Sequence, residues 1–222
     1  MERVLVIDHS TLIVRRAAAV VLGALVVAGA AQVSIPLPGT PVPMTLQPMA
    51  VLLVGGLLGA RLGALSMILY LAMGAAGLPV FTPSPLLLPG IARLFGQTGG
   101  YLLAYPIAAY AVGWFSDPAR KRGENSRSAW GPNRRQEVGS MSVNPGLAPG
   151  VGLPWMGRVA LGVLAGLVLI HLGGLAQLLI LTGNLSAAAR FGTLPFLLGD
   201  LIKIAVLVPI LTRLTPTIRA RL

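Results

Sequence analysis

The chain has 222 residues, of which 55% are hydrophobic and only 10% charged, with 28 glycines, 18 prolines and no cysteine. A mean hydropathy of +0.81, with apolar runs of spanning length from end to end, identifies an integral membrane protein rather than a water-soluble domain. The net charge of +11 does not point to nucleic acid, because the basic residues are scattered over the segments between apolar runs. The lack of cysteine excludes disulfides, iron–sulfur clusters and thiolate metal sites. With two histidines and no acidic cluster around them, no metal centre is expected.

Lipid offers backbone groups no hydrogen-bond partners, so each run must be a helix or part of a closed barrel. The runs are continuous in hydropathy rather than alternating, which predicts an all-α, polytopic membrane helical bundle. Six transmembrane helices are predicted, Ile13–Ala31, Leu46–Leu58, Leu62–Leu78, Gly100–Phe115, Val159–Leu181 and Leu194–Leu214, in a single membrane domain over 1–222. The second is short, so it is tilted or packed inside the bundle. Arg15-Arg16, the first apolar run and Ala28-Gly29-Ala30 together resemble a cleavable signal peptide. The run is long for that role, and the first helix is expected to be retained.

An even number of spans puts both termini on one side, and charge selects the side. Arg3, Arg15, Arg16, Arg61, Arg120, Lys121, Arg122, Arg127, Arg134, Arg135, Arg158, Arg213, Arg219 and Arg221 share one face. The other face carries Arg93 and Arg190, with Lys203 in the membrane. By the positive-inside rule both termini are cytoplasmic. Residues 116–157, rich in Pro, Gly, Ser, Asn and Arg, are predicted to be a flexible basic cytoplasmic loop, read as a tolerated insertion ahead of a patch for anionic lipid or a partner.

The outward loops have a different character. Residues 32–47 contain four prolines and are conformationally restricted. The segment from Gly77 to Tyr101 is apolar and glycine-rich, and both loops are expected to fold over something. Small residues four apart, at Ala24/Ala28, Gly55/Gly59, Gly59/Gly63 and Gly162/Gly166, permit close helix approach. Most are assigned to intramolecular packing, and the first helix, small on several faces, to docking another membrane protein.

Asp200-Leu201-Ile202-Lys203 places a carboxylate and an ammonium one turn apart on the last helix. Ionisable groups in hydrocarbon usually face a cavity and serve a purpose there. A purely structural ion pair is the competing reading. The ligand reading is preferred because Arg93, Gln97, Thr98, Tyr101 and Gln47 lie at similar depth under the outer loops. A neutral ring with adjoining N–H donors and a carbonyl would donate to Asp200 and accept from Lys203. Arg93 would hold a carboxylate through its fork of donors, and Phe81 and Tyr101 would enclose an apolar body. Against this stand a solvated loop charge for Arg93 and an interfacial belt aromatic for Tyr101. His171 and Gln177 in the fifth helix are assigned to buried packing with a hydrogen bond. A remote alternative, an intramembrane enzyme with Ser66 as nucleophile and His171, lacks a Gly-x-Ser-x-Gly motif. No Walker A, Gly-x-Gly-x-x-Gly, His-Glu-x-x-His or paired-carboxylate motif is present, so the chain carries no catalytic residues of those kinds and no ATP-hydrolysing engine.

Ile35-Pro-Leu-Pro38, Pro41-Val-Pro-Met-Thr-Leu-Gln47, Leu57-Leu-Gly59 with Gly63, Gly74-Ala-Ala-Gly-Leu-Pro-Val-Phe81, Thr98-Gly-Gly-Tyr-Leu102 and Gly199-Asp-Leu-Ile-Lys203 together closely resemble the BioY family, the biotin-binding S components of energy-coupling-factor (ECF) vitamin transporters. The resemblance implies a non-enzymatic six-helix protein of the bacterial plasma membrane, without cofactor, that captures biotin from outside beneath its two outer loops. It implies that Asp200 and Lys203 contribute to the biotin pocket, with Arg93 and Tyr101 at pocket-like positions. It further implies a transmembrane coupling subunit and two cytoplasmic ATPases as partners, reorientation of the loaded S component as the release step, and Ala24/Ala28 as the docking pattern. A stand-alone carrier without ATPase partners remains a second reading. Two departures stand out: Gln97 occupies a position where the family commonly has proline, and the 116–157 linker is long.

Overall fold

The computed structural model describes residues 9–83, 89–117 and 154–222. In chain order its elements are α1 (His9–Gln32), β1 (Ser34–Ile35), β2 (Met44–Thr45), α2 (Gln47–Leu58), α3 (Ala60–Ala75), α4 (Ala92–Phe95), α5 (Gly99–Phe115), α6 (Trp155–Thr182), α7 (Leu185–Gly192), a 3-10 turn (Leu194–Phe196) and α8 (Leu197–Arg219). Six of these, α1, α2, α3, α5, α6 and α8, are the predicted apolar helices. Most of the 116–157 linker and the first eight residues lie outside the described residues.

Three differences from the expected boundaries have local causes. The third helix stops at Ala75, short of Leu78, because Gly77 turns the chain at φ +92 and Pro79 follows. A separate helix, α7, forms where a loop was expected. Gly183 ends α6 in the left-handed region, and the Asn184 side chain accepts from the Ser186 and Ala187 N–H groups at 2.9 and 3.2 Å, which starts α7. The last helix begins at Leu197 rather than Leu194, after the turn that holds Pro195, and runs on to Arg219 through Pro216.

Ser10–Gln32, Trp155–Thr182 and Leu185–Arg219, the last broken at residues 193–196, are long and apolar enough to cross a membrane by length and composition. The 12-residue α2 and 16-residue α3 are shorter. α2 is the buried one, packed against α1, α3, α5, α6 and α8, with Val51 and Leu52 fully enclosed. It connects to α3 through Gly59 alone, whose φ of +91 an L side chain would strain. On the outside, Val21, Leu22 and Leu25 of α1, Leu103 and Ile107 of α5, Leu164, Val168 and Leu172 of α6, and Leu201 and Ile202 of α8 are exposed. A continuous apolar surface of this kind suits lipid rather than water.

Backbone contacts made possible by glycine bind the centre together. A Cβ on Gly55 would collide with the Ala109 backbone of α5, one on Gly63 with Gly55 itself, and one on Gly113 with the Gly59–Ala60 backbone. The Gly55, Gly59 and Gly63 spacing therefore serves intramolecular packing. Gly162 and Gly166 of α6 do the same against Phe115, Val112 and Leu52. At this end of the bundle Arg219 donates to the carbonyls of Gly56 at 2.7 Å and Gly113 at 3.0 Å, tying the end of α8 to α2 and α5. Arg16 of α1 donates to the carbonyl oxygen of Leu222 at 3.1 Å.

Ala24 and Ala28 require a correction. They are 0% and 8% exposed, turned inward with Val27 and Ala31, because small residues let α1 lie close on α2 and α3. The face expected to dock a partner is therefore not formed by these two alanines. The outward face of α1 carries Val21, Leu22, Leu25 and Val26 instead.

Gly113→Val is expected to lower the thermal unfolding midpoint of detergent-solubilised protein, by overpacking of about 1–3 kcal/mol or more, since the new side chain meets backbone that cannot rotate away. Gly29→Ala, with nothing within 4 Å of the added carbon, is expected to leave the midpoint unchanged in the same measurement.

Candidate functional site

At the end opposite Arg219, the loops and α7 close over a cavity between α2, α5, α6 and α8. β1 and β2 pair antiparallel, Ser34 with Thr45 and Ile35 with Met44, so the proline-rich segment forms a short hairpin. Its tip is tied down where Thr40 Oγ1 donates to the Phe191 carbonyl of α7 at 2.6 Å. The cavity's free volume is about 60 Å³.

One wall is polar and comes from α8 and α6. Asp200 and Lys203 are 6% and 8% exposed. Lys203 Nζ donates to Asp200 Oδ1 at 2.8 Å, and Asp200 Oδ2 lies 2.5 Å from His171 Nε2 of α6. Burying a carboxylate among apolar helices is costly unless it is paired, and here each oxygen has its own partner. All three side chains line the cavity.

A second polar network faces them from α2, α3 and the loop after α3. Gln47 donates to the Tyr70 hydroxyl at 2.6 Å, which donates to the Val80 carbonyl at 3.1 Å. Thr82 Oγ1 donates to Gln47 Oε1 at 3.1 Å, and Arg93 donates to the Thr82 carbonyl at 2.9 Å. Arg93 is 7% exposed and lines the cavity, with a buried Nε that makes no hydrogen bond among the described residues. Burial pulls its guanidinium below the usual arginine range, and arginine remains a cation at neutral pH. Because Asp200 and Lys203 offset each other, Arg93 is the uncompensated charge of the described lining.

Aromatic rings complete the walls, and glycines seat two of them. Phe81 packs into the space above Gly74 and meets Tyr70 edge-on at 5.5 Å. Tyr101 lies over Gly174, and its hydroxyl donates to the Gly192 carbonyl at 2.5 Å. A side chain at either glycine would occupy the ring's position.

Of the residues singled out in the sequence, Asp200, Lys203, Arg93, Tyr101, Gln47, Phe81 and Thr98 converge on this cavity. Gln97 is half-buried beside it and does not line it. His171 is the main residue that sequence reading missed. The sequence predicts packing with a hydrogen bond for it, and the partner is Asp200, 29 positions away and adjacent only because α6 packs against α8. Thr82, Tyr105 and Phe196 also line the cavity without a sequence signal. Gln177 donates to the Phe95 carbonyl at 3.1 Å. Ser66 is buried under α1, donates to its own helix at Leu62, and does not line this cavity, so it is not assembled with His171 as a nucleophile and base.

The model of the BioY family matches residues 3–220. The chain is 33% identical over 191 residues to a biotin transporter BioY of Thermotoga maritima, covering 86% of this chain and 89% of that one. It is 48% identical over 73 residues to a probable biotin transporter BioY of Pyrococcus horikoshii and 43% identical over 95 residues to the biotin transporter BioY2 of Lactococcus lactis. Those two alignments span 43% and 50%, about half, of the relatives' lengths. A crystal structure of the S-component for biotin from an ECF-type ABC transporter superposes with a TM-score of 0.69 at 25% identity, covering 93% of this chain and 94% of that one. With a family model spanning nearly every residue, a relative aligned along most of its length and a shared helical bundle, the chain belongs to the BioY family.

Proposed function

We propose that the protein is a biotin-binding S component of an ECF-type transporter, capturing the vitamin outside the cell and presenting it for uptake. The observation that carries this reading is the cavity with a paired carboxylate and ammonium on one wall and an uncompensated guanidinium across from them. Biotin carries matching groups: a neutral cyclic urea with two N–H donors and a carbonyl, an apolar bicyclic body, and a carboxylate on an aliphatic tail. In the proposed arrangement Asp200 accepts from the urea N–H groups and Lys203 donates to its carbonyl. Phe81 and Tyr101 enclose the ring, Gln47 and Thr98 contribute to the polar lining, and Arg93 holds the tail carboxylate. The similar proteins named as biotin transporters and the S-component structure support the same ligand.

The orientation follows from charge. Arg15, Arg16, Arg61, Arg213, Arg219 and Arg221 belong to the helix ends and the turn opposite the cavity. The positive-inside rule makes that end cytoplasmic and the cavity extracytoplasmic, with six helices crossing the plasma membrane of a bacterium. Annular lipid surrounds the exposed apolar faces. Uptake is completed by a transmembrane coupling subunit and cytoplasmic ATPases, since the chain has no nucleotide-hydrolysing motif of its own.

Detergent-purified protein is expected to bind biotin at one equivalent per chain by calorimetry. Asp200→Asn and Lys203→Met should each weaken binding on the order of 100-fold, because removing one partner leaves the other charge buried and unpaired; unchanged affinity in either would remove that residue from the site. Because the chain has no cysteine, single introduced cysteines report sidedness. Asn184→Cys should react with a membrane-impermeant maleimide in intact cells and Ala220→Cys only after permeabilisation, and the reverse pattern would invert the topology. Labelled biotin uptake should require co-expression of the coupling subunit and ATPases; equal uptake without them would instead establish a stand-alone carrier.

A further inference from the structure

The Asp200 carboxylate is held from two helices at once. Lys203 reaches Oδ1 at 2.8 Å from one turn along the same helix, whereas His171 reaches Oδ2 at 2.5 Å from α6. The terminal torsion of an aspartate is broad, so a carboxylate gripped at one oxygen can swing about it. A second donor on the other oxygen, from a different helix, sets its plane. One donor on each oxygen leaves about two of the four lone-pair sites of the carboxylate free. All three residues line the cavity, with side chains 16%, 9% and 10% exposed for His171, Asp200 and Lys203.

The imidazole itself is constrained. Tyr101 and Phe196 each lie at a ring-centroid distance of 6.4 Å from it, and Nδ1 is buried with no hydrogen-bond partner among the described residues. With a proton on Nε2 the ring donates to Asp200 Oδ2.

We propose that His171 is a positioning residue for ligand recognition: by holding Oδ2 it fixes the plane of the Asp200 carboxylate, so that the remaining lone pairs are presented together to the adjoining N–H groups of a cyclic urea. This rests on the biotin reading above and adds the residue that sets the geometry of the acceptor. Loss of His171 acts through Asp200, not through a contact of its own with the ligand.

The test compares two amides at one position, measured with biotin and with biotin methylated on a urea nitrogen. In His171→Gln the side-chain amide nitrogen reaches the place of Nε2, whereas in His171→Asn the shorter side chain falls short of Oδ2. His171→Gln is expected to bind biotin within about 3-fold of the unmodified protein, and His171→Asn about 10-fold more weakly. The preference for biotin over its N-methylated form should fall in the asparagine variant alone. In an Asp200→Asn background the two His171 variants should bind alike. Equal affinities for the two single variants, or a full additive loss on top of Asp200→Asn, would overturn the positioning role while leaving biotin binding standing. Failure of the unmodified protein to bind biotin would remove both readings together.

Discussion

A carboxylate placed deep in an apolar bundle must be paired, and the arrangement at Asp200 organises much of what surrounds it. Lys203 supplies one partner from the same helix, but a partner on the same helix constrains no tertiary structure. The His171 contact does, since it requires α6 to lie against α8 in one register. Slippage of either helix by a single turn would leave Asp200 Oδ2 without its partner, at a cost of about 1–3 kcal/mol. The polar wall of the cavity and the register of two of its helices are thus consequences of the same interaction.

The opposite wall obeys a similar logic with neutral groups. Gln47, Tyr70 and Thr82 form a connected set of hydrogen bonds that ends on loop carbonyls, and through Thr82 it fixes the position of Arg93. Arg93 belongs to a four-residue helix that would have little stability alone. Its place is determined by the network and by burial. The cavity therefore lies between charged residues on α6 and α8 and a hydrogen-bonded network on α2, α3 and the loop after α3, with His171 Nδ1 and Arg93 Nε left without a partner among the described residues.

Glycine shapes the space between them. At Gly55, Gly63 and Gly113 its role is to let backbones touch, which draws α2, α3 and α5 into a tight centre. At Gly74 and Gly174 it leaves slots into which Phe81 and Tyr101 settle. The same residue type thus closes the bundle at the Arg219 end and opens room for aromatic walls at the other. The two ends are correspondingly different: backbone contact and a capping guanidinium at one, side-chain networks around a void at the other.

The six apolar helices, the pairing of Asp200 with Lys203 and the clustering of Arg93, Tyr101, Gln47, Phe81 and Thr98 near one end were legible in the sequence. Hydropathy and helical spacing act locally, and the outer loops bring their residues to a common depth. Gln97 shows the limit of that reasoning, because common depth does not say which side chains face inward. Ala24 and Ala28 show another, since a small-residue stripe marks a face that packs closely without naming its neighbour, and here the neighbours belong to the same chain. The sequence by itself determined the class, the number and order of long helices, and an intramembrane ion pair in need of a setting. Tertiary structure alone decided that His171 meets Asp200, that the Thr82 carbonyl accepts from Arg93, and that glycines on α3 and α6 seat the aromatic walls. These contacts join residues far apart in the chain, and the helix packing that unites them is set by side-chain volumes on several helices at once rather than by any local pattern.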